Sequence, residues 1–356
     1  MKGYVSVLKD EREIALLSKC HMVLANGEEQ GALDIGMLCM LKRASLLVQD
    51  LIKTDGDAFT LEAVDDDGNS RLHWNLPGIL LNKLIKMRIS RDDHLNRLYT
   101  FEPYIALMVD QVKAARLCGV TLVRKMRSDR DEVEHYVQQL NSCVEGIRQE
   151  ARSKSFARKL KNYQRSSNKN HKELTGYVDA LFERHSRLLV LRVDLGYQKQ
   201  HCRTTQAEAK RDREHLLRNK RSNKLFDDMV GYIWKLEHGP EKGFHYHMMF
   251  FFDGSKVRED ITKALLIGRY WTELITKGRG VYYNCNADKS RYKSCGIGMV
   301  DHRDSPMRDT LNQLAIPYLT KTDIYMKLQA IGRGLGKMER PSLKDPRGRP
   351  RALLAA

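Results

Sequence analysis

Residues 231–253 read GYIWKLEHGPEKGFHYHMMFFFD, and the fold turns on how this stretch is read. Two runs rich in aromatic and aliphatic residues, GYIWKLEH (231–238) and FHYHMMFFF (244–252), flank GPEKG, a pattern that predicts two antiparallel strands joined by a tight turn. Side chains alternate between faces along a strand, so His245 and His247 share one face while Phe244, Tyr246 and Met248 take the other. If the turn closes symmetrically, Glu237 lies directly across from His245 on that same face. Two imidazoles and a carboxylate form a ligand set of borderline hardness that suits Mg²⁺ or Mn²⁺ and leaves positions for water or phosphate oxygens; zinc fits it as well. An isolated H-x-H is also what a partly solvated strand carries, and Glu237 by itself reads as a surface carboxylate. Asp194, at the end of RLLVLRVDL (187–195), is a further candidate for a ligand or for a group that supports one.

Outward from the hairpin the pattern is strands interleaved with helices. RLLVLRVDL predicts a strand, residues 205–229 a long polar helix, and the spacing of Val257, Ile261, Leu265, Trp271 and Ile275 an amphipathic helix. GVYYNCN (280–286) and GIGMVD (296–301) read as short strands, and a last helix is expected near 317–330. The class that follows is α+β, with a central antiparallel five-stranded sheet covered by helices. Residues 1–150 give mainly helical signals, as in PYIALMVDQVKAARLCGVTLV (103–123), and read as an accessory domain. A basic linker or helix is expected over 151–185, the sheet domain over 186–335 and a basic tail over 336–356.

The chain is 356 residues long and 42% hydrophobic, enough to bury the cores of two domains. It has no run of 18 apolar residues, and its first residues, MKGYVSVLKDEREIALL, are too charged for a secretory signal, so a cytoplasmic protein without membrane association is expected. Seven scattered cysteines without a C-x-x-C argue against a zinc-thiolate site and read as buried thiols. The net charge of +17 is uneven: residues 1–150 carry 20 Lys/Arg and 23 Asp/Glu, residues 151–356 carry 42 and 22. The C-terminal half is therefore expected to attract polyanions. Within it, RSKSFARKLKNYQRSSNK (152–169) holds seven Lys/Arg and no acid, with Phe156 and Tyr163 between them. That run reads either as a solvated face or as a segment tracking a phosphate backbone with its aromatics stacked on bases.

Residues 311–329 read LNQLAIPYLTKTDIYMKLQ. Pro317 suits a first helical position, which would put Tyr318 in the first turn, where the helix dipole favours a phenolate and an approaching phosphate. Lys321 would share its face, and Tyr325 would follow about 10 Å along the same stripe. Packing tyrosines beside a solvated lysine would give the same spacing.

H-x-H in a central strand followed by Y-x-x-K downstream resembles the HUH endonucleases, the rolling-circle replication initiators of phages, plasmids and small viruses. The strings VLRVDLGY, IWKLEHGPEKGFHYHMMFFFDG, GIG and YLTKTDIYMK look like those of the inovirus-type gene-two replication protein family, over roughly residues 186–335. The resemblance implies a divalent ion, Mg²⁺ or Mn²⁺, held by His245, His247 and a third ligand, with Glu237 the candidate. It implies Tyr318 as the nucleophile on the scissile phosphate, Lys321 as the cation beside it, and a 5′-phosphotyrosine intermediate in nicking and rejoining single-stranded DNA at a replication origin. Host helicase and polymerase are the partners it implies. A relaxase or transposase with the same chemistry, and a non-catalytic DNA-binding prophage regulator of the same fold, are the alternatives.

Overall fold

The computed structural model describes residues 21–24, 29–31, 35–64, 69–239, 242–291, 295–319 and 325–342. In chain order, strands β1 (His21–Leu24) and β2 (Glu29–Gly31) come first. Next, β3 (Phe59–Val64), β4 (Ser70–Trp74), β5 (Tyr99–Phe101) and β6 (Lys125–Met126) alternate with the helices Ile35–Ile52, Leu76–Lys86, Pro103–Ala114 and Arg130–Arg152. The helix Lys154–Arg184 leads into β7 (Arg187–Tyr197), β8 (Met229–Gly239), β9 (Gly243–Asp253), β10 (Gly280–Asn284) and β11 (Gly298–Asp301), and the short strands β12 (Met326–Leu328) and β13 (Leu335–Lys337) follow.

The chain divides into two compact units. One holds residues 1–35, 168–321 and 330–356; the other holds residues 36–167 and 322–329. The N-terminal region is thus not one helical block, because β1 and β2 pair into the sheet of the first unit. The second unit has sheets of its own, β3-β4-β6 and the pair β5-β12, among its helices.

The expected five strands are all present as β7 to β11, but among the described residues the sheet has eight strands rather than five. Its order is β13-β8-β9-β7-β10-β1-β2, with β11 also paired to β7, and every pair is antiparallel. The three added strands are only three or four residues long, too short for alternation to register in the sequence. Strand β7 is buried at every position after Arg187; covered on both faces, it reads as a nearly continuous apolar run rather than an alternating one. On the face that carries the histidines, Val190, Ile233, Met249 and Phe251 pack with Tyr177 and Leu181 of the Lys154–Arg184 helix in one core cluster. Leu311, Ile316 and Leu319 belong to the same cluster, so the segment that carries Tyr318 packs on the histidine face.

That segment is not the helix the sequence suggested. A helical stretch runs as Ser305–Thr310, a π turn Leu311–Ala315 and Ile316–Tyr318, starting at Asp304, whose side chain accepts from Met307 N at 3.0 Å. Tyr318 therefore closes a helix instead of opening one. Pro317 inside a helix removes one N–H and crowds the carbonyl four residues back, and the wider π turn before it relieves that crowding. The described residues that follow, from Tyr325, are not helical: Tyr325 sits in the turn before β12, its carbonyl accepting from Glu102 N at 2.8 Å.

Two smaller expectations also change. Phe156 is buried against Tyr104, ring centroids 5.1 Å apart, and is not exposed for stacking on bases; Tyr163 is half-buried, with Lys327 Nζ 3.8 Å from the centre of its ring. Of the described cysteines only Cys143 and Cys285 are buried, while Cys39 and Cys118 are exposed. Among the described residues no helix is long and apolar enough to cross a membrane.

Candidate metal centre

The hairpin closes in the register read from the sequence: Gly239 pairs with Gly243 and Glu237 with His245. Gly243 makes this possible. It sits at φ +65 beside the Cys202 carbonyl, where any side chain would collide with that backbone. On the other side of β9, Asp194 of β7 pairs with His247, which also faces Lys235 of β8. Because paired residues share a face, three adjacent strands each place two polar residues there: Arg192-x-Asp194, Lys235-x-Glu237 and His245-x-His247. All six are buried, the most exposed being Glu237 at 7%.

Within this hexad the structure brings Glu237, His245 and His247 together, with one ligand atom from each inside 4.8 Å of the others. Glu237 Oε2 lies 3.2 Å from His247 Nε2 and 3.9 Å from His245 Nε2. The far nitrogen of each ring has its own acceptor. His245 Nδ1 lies 3.2 Å from the Gly243 carbonyl, and His247 Nδ1 lies 2.8 Å from Asp194 Oδ1, a close approach without the alignment of a full hydrogen bond. A proton on Nδ1 of both rings would leave both Nε2 lone pairs to ligate a cation shared with Glu237, whereas a proton on His247 Nε2 would be donated to Glu237 Oε2. His245 Nε2 is buried and has no hydrogen-bond partner. An acceptor nitrogen left open beside a carboxylate fits a cation. Asp194 lies behind His247, outside the group of three that could hold an ion.

The electrostatics separate the two rings, favouring a neutral His245 and a protonated His247 where no cation is bound. Burial, and then the neighbouring His247, push His245 down to about 4, so it is a neutral ring with a lone pair to give. For His247, burial works in the same direction but Asp194 and then Glu237 outweigh it and raise its pKa. Burial would raise Asp194, yet His247 and then Arg192 together hold it well below the usual carboxylate range. Arg192 Nη2 approaches Asp194 Oδ2 at 3.5 Å.

Sequence reasoning missed Arg192 and Lys235. The signal was available: each is a charged residue two positions before an acid in a strand otherwise apolar on that face, the same spacing as H-x-H. Of the expected nucleophile pair, Tyr318 has a described backbone but its side chain and all of Lys321 lie outside the described residues. A phenolate stabilised by a helix N-terminus does not hold for Tyr318, since the C-terminal end of a helix favours cations instead. Tyr325 does not share a helical stripe with Tyr318; residues 322–329 belong to the other compact unit.

No curated protein and no solved structure matches the chain. Residues 149–324, which include the whole hexad, Tyr318 and Lys321, match the family model of the YagK/YfjJ C-terminal domain.

Proposed function

We propose that this protein is a metal-dependent endonuclease that nicks and rejoins single-stranded DNA through a 5′-phosphotyrosine at Tyr318, starting rolling-circle replication of a phage, prophage or related mobile element. The observation that carries the reading is the gathering of Glu237, His245 and His247 around one point, with the open His245 Nε2 facing it. A bound Mg²⁺ or Mn²⁺ would supply Lewis-acid polarisation of a non-bridging oxygen of the scissile phosphate. The chain's own residues do the rest. Asp194 and the Gly243 carbonyl, each beside an Nδ1, would favour the ligating tautomer of the two rings. Arg192 and Lys235, on the same face, offset the charge of an anion drawn to it. The segment ending at Tyr318 packs on the same face of the sheet through Leu311, Ile316 and Leu319.

In the reaction the Tyr318 oxygen, having lost its proton, bonds to phosphorus, and the bond from phosphorus to the 3′-oxygen breaks. That oxygen leaves as a 3′-hydroxyl after taking up a proton, ready for a polymerase, and its return attack restores the strand. Single-stranded origin DNA, host helicase and polymerase are the partners this reading requires, in the cytoplasm. The same geometry would serve a relaxase or transposase. A different class, a DNA-binding regulator that has lost catalysis, would keep the fold and the charge without needing an open ligand position.

The test is incubation of the full chain with end-labelled single-stranded DNA and Mn²⁺. A protein-DNA adduct that survives boiling in detergent is expected for the wild type and absent for His245→Ala or His247→Ala, with DNA binding retained. Adduct formation by either variant at the wild-type rate would overturn the assignment of the histidines. Binding without any adduct in the wild type would favour the regulator.

A further inference from the structure

Counting charge by halves of the chain hides a local excess in the acidic half. Residues 83–127 hold ten Lys/Arg against four Asp/Glu, and the second unit gathers several of these cations around one helix. Along Leu76–Lys86 the residues turned to solvent follow a single stripe. Leu76 is 60% exposed, Ile79 is half-buried, and Lys83 and Lys86 are exposed, a spacing of three or four residues that keeps them on one side. The opposite side, with Leu80, Leu81, Leu84 and Ile85, is buried in the core.

Cations flank the stripe at both ends. Past its C-terminal end, Arg88 and Arg91 bracket a single turn, Ile89–Arg91. The loop after the Pro103–Ala114 helix packs there, with Cys118 Sγ 3.8 Å from the Ser90 carbonyl and Gly119 against the Arg91 side chain; this loop carries Arg116. By the N-terminal end, Arg124 lies over the Trp74 ring at 5.0 Å, one residue before the cap Asn75. Lys83, Lys86, Arg88, Arg91, Arg116 and Arg124 are all exposed, and none has an ion pair among the described residues. The exposed Asp92 beside Arg91 is the acid nearest them in sequence.

We infer that the helix Leu76–Lys86 and its flanking arginines are a docking surface for the backbone of duplex DNA, separate from the single-strand chemistry proposed for the other unit. With its side chains a helix is about 10–12 Å across, which fits a B-form major groove about 12 Å wide with cations reaching the phosphates on either side. Single strands are held by exposed aromatic platforms. Here Trp74 is covered by Arg124, and Phe59, Tyr99 and Phe101 are buried. A-form duplexes have a major groove too narrow for a helix.

The experiment measures binding of the full chain to a duplex DNA, the matching single strand and a duplex RNA by fluorescence anisotropy across a salt series. The variants are Lys83→Ala/Lys86→Ala/Arg91→Ala and, as a control on ion-paired surface cations, Lys53→Ala/Arg130→Ala. For the first, duplex-DNA affinity is expected to fall about tenfold or more, and the slope of log affinity against log salt to shrink by about 3, one for each phosphate no longer neutralised. The control should match the wild type, and single-strand adduct formation should be unchanged in both. An unchanged duplex-DNA slope in the triple variant overturns the inference. A loss confined to single strands, or an equal loss for duplex RNA, overturns it as well, because the surface would then not be reading B-form shape. None of these outcomes depends on whether the adduct forms, so failure here is distinct from failure of the nuclease reading.

Discussion

Replacing Asp194 with Asn isolates the role of the carboxylate behind His247. The side chain keeps its shape, so β7 and its pairing to β9 should persist, but the negative charge 2.8 Å from His247 Nδ1 is lost. Groups that orient a ligating histidine are worth roughly 10- to 100-fold in metal affinity, which is about 1.4 to 2.7 kcal/mol. The expected result is a weakening of Mn²⁺ binding within that range, measured by calorimetry on the full chain. Stability must be followed separately. Arg192 would lose the carboxylate oxygen 3.5 Å from its Nη2, and removing one partner of a buried pair costs about 3 to 5 kcal/mol. The double variant Arg192→Met/Asp194→Asn removes both charges; it should recover part of the stability and none of the metal affinity. Unchanged Mn²⁺ affinity in the folded Asp194→Asn protein would show that the carboxylate does not support a ligand. Recovery of affinity in the double variant would place the effect in Arg192 instead.

Three further outcomes are expected. Gly243→Ala should distort the hairpin and move His245, destabilising the unit by about 1 kcal/mol or more, with Mn²⁺ binding weakened in calorimetry; wild-type values for both would refute the backbone argument. Tyr318→Phe should abolish the covalent adduct and Tyr325→Phe should retain it, and peptide mapping that places the nucleotide on Tyr325 would contradict the choice. In the second unit, burial raises Glu102 to about 7 from its ordinary 4.5, so its ionised form is disfavoured by folding. Stability is full below about 4.5 and falls as pH rises toward 7, by at most about 3 kcal/mol. Glu102→Gln retains an oxygen for Tyr104 N and Ile105 N and should flatten the decline between pH 5 and 8 in urea denaturation, whereas an equal slope in both proteins would refute it.

The site was legible because it lies on a hairpin, where register follows from a local turn. Gly239 and Gly243 fix the pairing, and alternation then assigns Glu237, His245 and His247 to one face from sequence alone. Asp194 and Arg192 lie on β7, joined to β9 by pairing that no local signal specifies, so nothing in the sequence set their register against His247. The error over Tyr318 arose from treating Pro317 as a helix opener. Proline is equally tolerated where a π turn has widened the backbone before it, and the apolar residues that hold this segment to the sheet, Leu311, Ile316 and Leu319, lie on both sides of that turn. The edge strands were missed because pairing to an existing sheet, and not their own three- or four-residue sequences, makes them strands.

The cost of the hexad bears on what it is for. Four charged side chains and two imidazoles occupy one end of a sheet face whose other end is apolar, and replacing buried ion pairs by well-packed apolar residues is often neutral or stabilising by about 1 to 4 kcal/mol. Stability alone does not call for such an arrangement. The charges also fall into a pattern. With both imidazoles neutral, as ligation requires, Arg192 and Lys235 balance Asp194 and Glu237, and the face sums to zero. A divalent cation would bring it to +2, which a phosphodiester and a phenolate, one negative charge each, return to zero. A face meant only to hold an ion would do better with an excess of carboxylates. The two buried cations weaken the hold on a metal and strengthen it on an anion beside the metal, which is the compromise a phosphoryl-transfer site has to make.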